Sequence, residues 1–482
     1  MNVRTVTDRT FRSLRIRNYR LYFAGQILSF AGTWMQSVAQ VWLVLKLGGG
    51  GVELGLTTAL QFLPMLLFGV WGGVFADRFD KRRTLMLTQS SAAVVALIIG
   101  VLSATGVITL WMVYATAFAL GCVTVVDNPT RQSFVMEMVG GGEVSNAVGL
   151  NSSVITLARI IGPALAGIII AAAGVTPCFF INAASYLAVL VALAMMDPEE
   201  LIRSEPVQRA KGQLREGLAY VWSTPTLRRA LLLMAVVGTL AYNFRTLLPL
   251  MTKFVFDGGA TTYGLLSALL GMGAVGGALT AAGRTRPTNR VLLLSSLAFG
   301  ALILALAWAP TLAVEMAVIV PTGLFSILFV STANATLQIT ANEQMRGRVM
   351  SLYAVVFLGS TPIGGPLVGW IAETAGARVA FTVGGAATVA AAAAAIAPHL
   401  RDRVQYARRR TSASEAIEVE QTIEGNAPEW VTLRGAFEEA RERVSHAARS
   451  LPALRRKTTC ARGEARPSRS KAGRPPRSDE RR

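Results

Sequence analysis

The stretch GGVFADRFDKRR (residues 72–83) ends a long apolar segment with six charged residues among its last seven. Between Val52 and Ala76 the only charged residue is Glu53, near the start of the segment. An apolar run of about 20 residues is long enough to cross a bilayer as a helix, so we predict that a membrane-spanning helix ends here. Basic residues alone would hold the following loop on one side of the membrane. The presence of Asp77 and Asp80 among them therefore needs a further reason.

The whole chain has the composition of an integral membrane protein. Of its 482 residues, 52% are hydrophobic and 16% are charged, and the mean hydropathy is +0.46. Backbone polar groups inside a bilayer have to be satisfied within the spanning structure, and the alternating pattern of a membrane β-barrel is absent. We therefore expect the apolar segments to be helices.

Several function classes are disfavoured by the residues present. Three cysteines (Cys122, Cys178, Cys460) lack metal-ligand or disulfide-like spacing, and the two histidines, His399 and His446, lie at or beyond the end of the apolar region. The chain has no G-x-x-x-x-G-K-[ST] phosphate loop. We expect neither an enzyme nor a metal site, and no cofactor, with a proton gradient as the energy source.

Twelve apolar segments are predicted to span the membrane. The first is too long, and too closely followed by others, to be a cleaved signal peptide. The predicted limits are 20–45, 52–76, 84–104, 108–130, 144–174, 176–196, 229–254, 261–283, 290–308, 311–336, 346–372 and 377–398.

Basic residues are concentrated on one set of connections. They occur in the amino-terminal arm and the even-numbered connections, whereas the odd-numbered connections hold only Lys46, Lys253 and Arg378. Basic loops stay on the cytoplasmic side, so we predict a multi-pass protein of the inner (cytoplasmic) membrane with both termini cytoplasmic. The net charge of +19 then reflects topology and the tail. The expected partners are the lipid bilayer and a small-molecule substrate, without nucleic acid, and the expected state is a monomer.

Polar segments divide the chain into five predicted parts. These are a cytoplasmic arm (1–19), a six-helix bundle (20–196), a cytoplasmic linker with an interfacial helix (197–228), a second six-helix bundle (229–399) and a basic, partly disordered cytoplasmic tail (400–482). The interfacial helix is predicted over 214–229. A helical apolar stripe over 428–451 indicates a soluble appendage that touches anionic lipid or, alternatively, a site for a partner.

The two bundles show traces of an internal repeat. Residues 72–91 align with 276–296, residues 127–132 with 333–338, and the Gly-Pro pair at 162 with the pair at 365, at offsets between 203 and 206. Three weak matches at nearly one offset indicate two bundles related by a parallel repeat. The position that matches Asp77 in the second bundle is Ala281.

GGVFADRFDKRR resembles the signature G-x-x-x-D-R-x-G-R-R/K of the major facilitator superfamily, with Asp80 where Gly is usual. RIIGPALAG (159–167) resembles the Gly-Pro motif of that superfamily's exporters. PTRQSFV (129–135), LREGLAYVWSTP (214–225) and NEQMRGRVMSLY (342–353) resemble the branch of macrolide, multidrug and siderophore exporters. The resemblance covers residues 10–400. It implies an all-α membrane fold of twelve helices in two six-helix bundles, with helix-packing residues Gly162, Pro163, Gly167, Gly365 and Pro366.

The resemblance also assigns the opening stretch to a cytoplasmic gate. It places Asp77 against the other bundle, near the positive amino-terminal end of the eleventh helix, where two arginines offer ion pairs. Gly73 would let helices approach closely. The predicted gate residues are Gly73, Asp77, Arg78, Lys81, Arg82, Arg346 and Arg348. The alternative is that the cluster only supplies basic charge that fixes the topology.

The first span has a polar face in which residues recur every three or four positions, formed by Gln26, Ser29, Thr33, Gln36, Ser37 and Gln40. Polar side chains avoid lipid, so this face is predicted to line a water-filled substrate cavity or, alternatively, to hydrogen-bond to neighbouring helices. Further cavity candidates are Asn128, Gln132, Asn151, Asn243, Asn334 and Gln338.

Two arginines lie deep in the predicted spans. Arg159 is about 22 Å into the fifth span, at about 1.5 Å per residue, and Arg245 is comparably deep in the seventh. A charge at this depth is costly unless it is functional or paired. Arg159 is expected either to bind an anionic part of a substrate or to pair with Asp127.

Asp127 is the proton-coupling candidate, because coupling needs a carboxyl group buried in the spans. The alternative is an ion pair with Lys81 or Arg131. Glu315 and Glu373 are further carboxyl groups, predicted near the outer surface.

Together these features predict a secondary transporter that works by alternating access. Proton-coupled efflux of amphipathic small molecules, such as drugs, macrolide-like compounds or siderophores, is the leading hypothesis. Uptake of a small metabolite is the alternative and would use a narrower site. A non-transporting membrane receptor or assembly factor is a second alternative, which would need neither the repeat nor the gate charges.

Overall fold

A computed structural model of the protein describes residues 11–202, 213–284, 287–397 and 441–443. These residues form helices and short connections, without a β-strand in the described ranges. Residues 1–401 form one compact unit and 402–482 a second. The predicted tail helix over 428–451 lies outside the described residues except for 441–443, which are helical.

The first half of the chain begins with a short 3₁₀ turn, Arg12–Arg15, and continues with five helices. They are α1 (Arg17–Lys46), α2 (Gly51–Arg78), α3 (Lys81–Ala104), α4 (Leu110–Ala173) and α5 (Thr176–Ala194). The second half contains α6 (Gln213–Ser223), α7 (Pro225–Val236), α8 (Phe244–Leu250), α9 (Ala260–Ala282), α10 (Asn289–Ala307), α11 (Leu312–Thr340), α12 (Glu343–Ala375) and α13 (Ala377–Ala397).

The all-helical membrane fold is confirmed. Among the described residues, ten helices are long and apolar enough to cross a bilayer. That number counts α4 once and treats Pro225–Val255 as one span, and it does not include α1. Counting the two arms of α4 separately and adding α1 gives the predicted twelve. The division into bundles 20–196 and 229–399 stays a prediction.

Helix α4 differs from the prediction, which placed a connection between residues 130 and 144. The helix instead continues to residue 139 and changes direction at the single residue Gly140, whose φ of 66° favours glycine. The cause is a buried apolar stripe that continues beyond the polar DNPTRQ segment and packs on Tyr22 and Leu85, namely Phe134, Val135, Met138 and Val139. Residues 110–139 are called the first arm of α4, and residues 141–173 the second arm.

The interfacial helix is shorter than predicted. It ends at Ser223 rather than at residue 229, because Pro225 begins the next helix. Proline is well suited to the first turn of a helix, where its missing N–H is not needed. The seventh span therefore starts at Pro225.

The two halves use equivalent helix pairs. Helix α2 packs on the first arm of α4, with Gly72 against the carbonyl of Val125; α9 packs on α11, with Gly277 against the carbonyl of Leu324. Gly72 makes the close approach within the first half, and the approach that the resemblance assigned to Gly73 stays a prediction. The halves meet through α2 against α12 and through α4 against α9.

Candidate functional site

A cavity of about 350 Å³ lies between the two halves. Its walls are mainly apolar and aromatic, with contributions from α1, α2, the second arm of α4 and α9. The aromatic lining residues are Trp34, Phe62, Tyr242, Phe244 and Tyr263. The polar and charged ones include Ser37, Thr58, Arg159, Asn243, Arg245 and Thr246.

The seventh span is interrupted where it reaches the cavity. A π-helical turn over Val237–Ala241 precedes a break at Tyr242 and Asn243, and α8 begins at Phe244. Non-helical backbone at membrane depth is tolerated where it lines a cavity. The interruption brings Asn243 and Arg245 to the cavity wall, and the Asn243 side chain donates to the carbonyl of Thr239 at 2.8 Å.

Both deep arginines line the cavity, and both lie over the same indole. The guanidinium carbon of Arg159 is 5.1 Å from the centroid of the Trp34 ring, and that of Arg245 is 5.6 Å from it. Arg245 is also 5.8 Å from the Phe62 ring centroid. Cation–π attraction holds each guanidinium at its ring face. The sequence drew no attention to Trp34, because an aromatic residue in an apolar span carries no distinct signal.

Asp127 pairs with Arg131, which was one of its predicted alternatives. Its Oδ2 is 2.5 Å from the Arg131 guanidinium, and its Oδ1 accepts from the hydroxyl of Thr88 at 2.8 Å and the amide of Gln89 at 2.7 Å. The predicted pairs of Asp127 with Lys81 and Arg159 are therefore wrong. Arg131 also donates to the side-chain oxygen of Gln26, so the network joins α4 to α1 and α3.

The polar face of α1 packs inside the first half instead of lining the cavity. Gln36 accepts from the side-chain amide of Asn182 at 2.6 Å, and the hydroxyl of Thr33 donates to the carbonyl of Ser29. Gln26 and Gln40 are buried outside the cavity lining. Gln26 and Gln36 hydrogen-bond to α4 and α5, as the alternative predicted. Of the six residues of this face, Ser37 is the one that lines the cavity.

Most of the other predicted amides also lie outside the cavity lining. Asn128 and Gln132 are exposed, and Asn151 is half-buried. The amide of Gln338 donates to Asn334 Oδ1 at 2.5 Å. Of the six predicted amides, only Asn243 lines the cavity. Helical spacing shows which residues share a face of a helix, but it does not show which neighbouring helix that face contacts.

The basic residues of the opening stretch bind within the first half. Lys81 forms a buried ion pair with Glu137 at 2.5 Å, and Arg82 donates to the carbonyls of Leu193 and Ala194. Arg78 is exposed. Asp77 belongs to α2, but its side chain lies outside the described structure.

The two arginines predicted to meet Asp77 have other partners. Arg348 pairs with Glu216 on α6 at 2.5 Å, and Arg346 Nε donates to the carbonyl of Gln338 at 3.0 Å. We call the end of the bundle where α2 ends and α12 begins the basic end.

At the opposite end, which we call the closed end, α2 and α12 touch through glycine. Gly51 meets the carbonyl of Gly369, and Gly55 meets that of Gly365. Glu373 Oε2 accepts from the backbone N–H of Val52 at 2.9 Å. The sequence did not predict this contact, because the glycines recur throughout the spans and Glu373 stood alone.

The second arm of α4 and α9 make the other contact between the halves. Gly162 packs on Ala31 and Trp34 of α1, whereas Gly167 packs on Thr261, whose hydroxyl donates to the Gly167 carbonyl at 3.2 Å. Pro163 lines the cavity. The structure thus places the Gly-Pro motifs of α4 and α12 at the helix contacts around the cavity.

The chain matches the family described as "Transmembrane secretion effector" over residues 8–457. It belongs to this family. The transmembrane secretion effector family is part of the major facilitator superfamily of secondary transporters, and the chain is accordingly a transporter and not an enzyme. Among the described residues, no group of three or more His, Cys, Asp or Glu is placed to hold a metal ion.

Three relatives illustrate the family. The chain is 28% identical over 381 residues to the staphyloferrin A transporter of Staphylococcus aureus, in an alignment that covers 77% of this chain and 93% of that protein. It is 26% identical over 369 residues to the multidrug efflux pump Tap of Mycolicibacterium fortuitum, covering 73% and 88%. It is 23% identical over 354 residues to the enterobactin exporter EntS of Salmonella choleraesuis, covering 73% and 84%.

Solved structures share the fold of this family member. The nucleoside transporter NupG superimposes with a TM-score of 0.64 at 10% identity, covering 79% of this chain and 98% of that one. A bacterial homologue of the human lysosomal transporter Spinster gives 0.59 at 15% identity, covering 78% and 93%. At these identities the likeness shows the major facilitator fold alone.

Proposed function

We propose that the protein exports amphipathic small molecules across the cytoplasmic membrane in exchange for protons, by alternating access. The observation that carries the proposal is the central cavity, in which aromatic walls surround a few polar groups. Ligand sites of this kind take molecules that have an apolar body and a small number of polar groups. Relatives named as drug and siderophore transporters support export as the direction.

Alternation would move the two predicted bundles, 20–196 and 229–399, against each other. The contacts that such a motion breaks at the closed end are short glycine contacts and one carboxylate hydrogen bond. The motion would then bring Asp77 to the start of α12. We propose that the basic end and both termini are cytoplasmic, because connections rich in Lys and Arg stay on the cytoplasmic side of a membrane. We also propose that a monomer performs the cycle.

Asp127 is the carboxyl group proposed to carry the proton. Protonation would remove the charge that holds Arg131, and Arg131 also binds Gln26 of α1. Proton uptake at Asp127 would therefore loosen the contact of α4 with α1 that lies in the first half. This step links a proton to a rearrangement of helices, which is what an exchanger requires.

Everted membrane vesicles test the exchange. With an acidic interior, we expect wild-type vesicles to accumulate at least one of two fluorescent dyes, fluorescein or ethidium. Asp127→Asn should abolish the dependence on the proton gradient, whereas Glu143→Gln, which removes a peripheral ion pair with Arg12, should leave it unchanged. Movement of the dyes out of the vesicles would indicate uptake. Unaltered gradient dependence in Asp127→Asn would remove Asp127 from the coupling step.

A further inference from the structure

The cavity holds two cationic groups from opposite halves of the chain. Arg159 comes from the second arm of α4, and Arg245 comes from α8 beyond the break in the seventh span. Their guanidinium carbons lie 5.1 and 5.6 Å from the centroid of one ring, that of Trp34. Two like charges held near one ring repel each other.

No acidic residue of the described structure lines this cavity. Three acidic residues elsewhere on the helices that form the cavity already have partners. Asp127 pairs with Arg131, Glu137 pairs with Lys81, and Glu373 accepts from the start of α2. Glu315 is buried in α11, outside the cavity lining. The positive charge of the cavity is therefore not balanced by a carboxylate of the described chain.

The two guanidinium groups also retain donors. Nε of Arg159 is buried without a hydrogen-bond partner in the described structure. Arg245 donates to the side-chain oxygen of Gln61 over a long distance, 3.4 Å. A guanidinium carries five N–H donors and binds carboxylates with two parallel hydrogen bonds. The available N–H donors and the positive charge of the two arginines together favour binding of an anionic group inside the cavity.

We propose that Arg159, Arg245 and Trp34 form a binding site for a carboxylate carried by an aromatic or other apolar molecule. The carboxylate would lie at the guanidinium groups and the apolar body against Tyr242, Phe244 and other aromatic walls. This inference rests on the proposed function, since it names the substrate class of the same cavity. It excludes a preference for cationic amphiphiles, which two unbalanced arginines repel.

Equilibrium dialysis of the full-length protein in lipid nanodiscs tests the site with three matched probes. These are naphthalene-2-carboxylate, its neutral carboxamide and the cationic 2-(aminomethyl)naphthalene, each corrected for partition into protein-free nanodiscs. We expect the carboxylate to bind at least about tenfold more tightly than the carboxamide, because hydrogen bonds between charged groups are stronger than those to a neutral acceptor. The amine should bind more weakly than either.

Arg159→Gln and Arg245→Gln should each weaken carboxylate binding about tenfold and carboxamide binding much less, and the carboxamide binding that remains shows that the variants fold. Arg20→Gln removes an exposed arginine from α1 and should change neither. Equal affinity of the wild-type protein for carboxylate and carboxamide, or no binding of the carboxylate, would overturn the proposal. A preference that survives in both cavity variants would overturn it as well.

The vesicle experiment separates this inference from the proposed function. If the protein binds the carboxylate selectively but vesicles show no gradient-driven dye accumulation, proton-coupled export is contradicted and the proposed anion site is supported. If vesicles accumulate ethidium in preference to the anionic fluorescein, proton-coupled export is supported and the proposed anion site is overturned.

Discussion

Helices α2 and α12 run antiparallel, and their two ends are held in different ways. At the closed end, Gly51 and Gly55 touch α12 directly, and Glu373 accepts a hydrogen bond from the first turn of α2. At the basic end, Arg346 and Arg348 bind Gln338 and Glu216 of the second half. Between the ends, the side chain of Leu66 reaches Gly359.

The contacts at the closed end define a register. Residue 51 lies by residue 369 and residue 55 by residue 365, so each step along α2 corresponds to one step back along α12. Farther along, Leu66 reaches Gly359 rather than residue 354, so the helices stay antiparallel but depart from this pairing toward the basic end, where α2 ends at Arg78 and α12 begins at Glu343. Glu373, near the end of α12, accepts a hydrogen bond from the start of α2. We propose that Asp77, near the end of α2, makes the corresponding contact with the start of α12.

We infer that the two ends use the same type of contact. In each, a carboxylate near the end of one helix interacts with the positive amino-terminal end of the other helix. In this state the Glu373 contact is formed at the closed end. We propose that the Asp77 contact forms in the opposite state of the cycle. Glycine at the closed end allows close approach, and the carboxylates add attraction that is weak enough to be reversed in each cycle.

The largest effect is expected from Gly55→Leu. A side chain at this position would collide with the backbone of Gly365, and forced overpacking costs about 1–3 kcal/mol. The closed end would not seal, so dye accumulation in everted vesicles should fall at least about tenfold. Gly149→Leu is the matched control, because a Cβ there meets no atom within 4 Å. Equal activity of the two variants would show that sealing does not depend on the glycine contact.

Asp77→Asn should have the next largest effect. Loss of the charge would weaken the predicted contact with the start of α12, and an ion at a helix terminus contributes about 0.3–2 kcal/mol. Efflux from intact cells should fall several-fold at unchanged expression. Asp80→Asn serves as the control, because Asp80 caps α3 by accepting from the N–H of Arg83 at 2.9 Å. If Asp80→Asn lowered efflux as much as Asp77→Asn did, the special role of Asp77 would be lost.

Glu373→Gln should have the smallest effect of the three. The amide oxygen still accepts from Val52 N–H, so only the charge at the exposed end of α2 is lost, worth about 0.3–1 kcal/mol. Dye accumulation should change about twofold to fivefold. Glu53→Gln is the control. Glu53 belongs to α2 itself and accepts from the N–H of Gly50 at the start of that helix, so its replacement should not change the relative stability of the contacts at the two ends. A larger change in Glu53→Gln would point to helix capping as the cause.

Much of the fold followed from the sequence, because hydrophobic length determines a membrane span. The connection at 130–144 was wrong because the polar segment containing Asp127 looked like a helix end, whereas the apolar residues from Phe134 to Val139 continue the helix. The cavity was only partly predictable. Charge alone identified Arg159 and Arg245, but the polar face of α1 gave no indication of its partner, and the role of Trp34 depends on residues brought together by folding.

We propose that the two ends of the α2–α12 pair exchange contacts during the cycle. Pulsed electron paramagnetic resonance in nanodiscs measures it directly, with spin labels at exposed positions 83 and 344 for the basic end and 46 and 374 for the closed end. We expect Glu373→Gln to shorten the distance at the basic end and to lengthen it at the closed end, and we expect Asp77→Asn to do the reverse. Distances that change at only one end, or in the same direction at both, would contradict it.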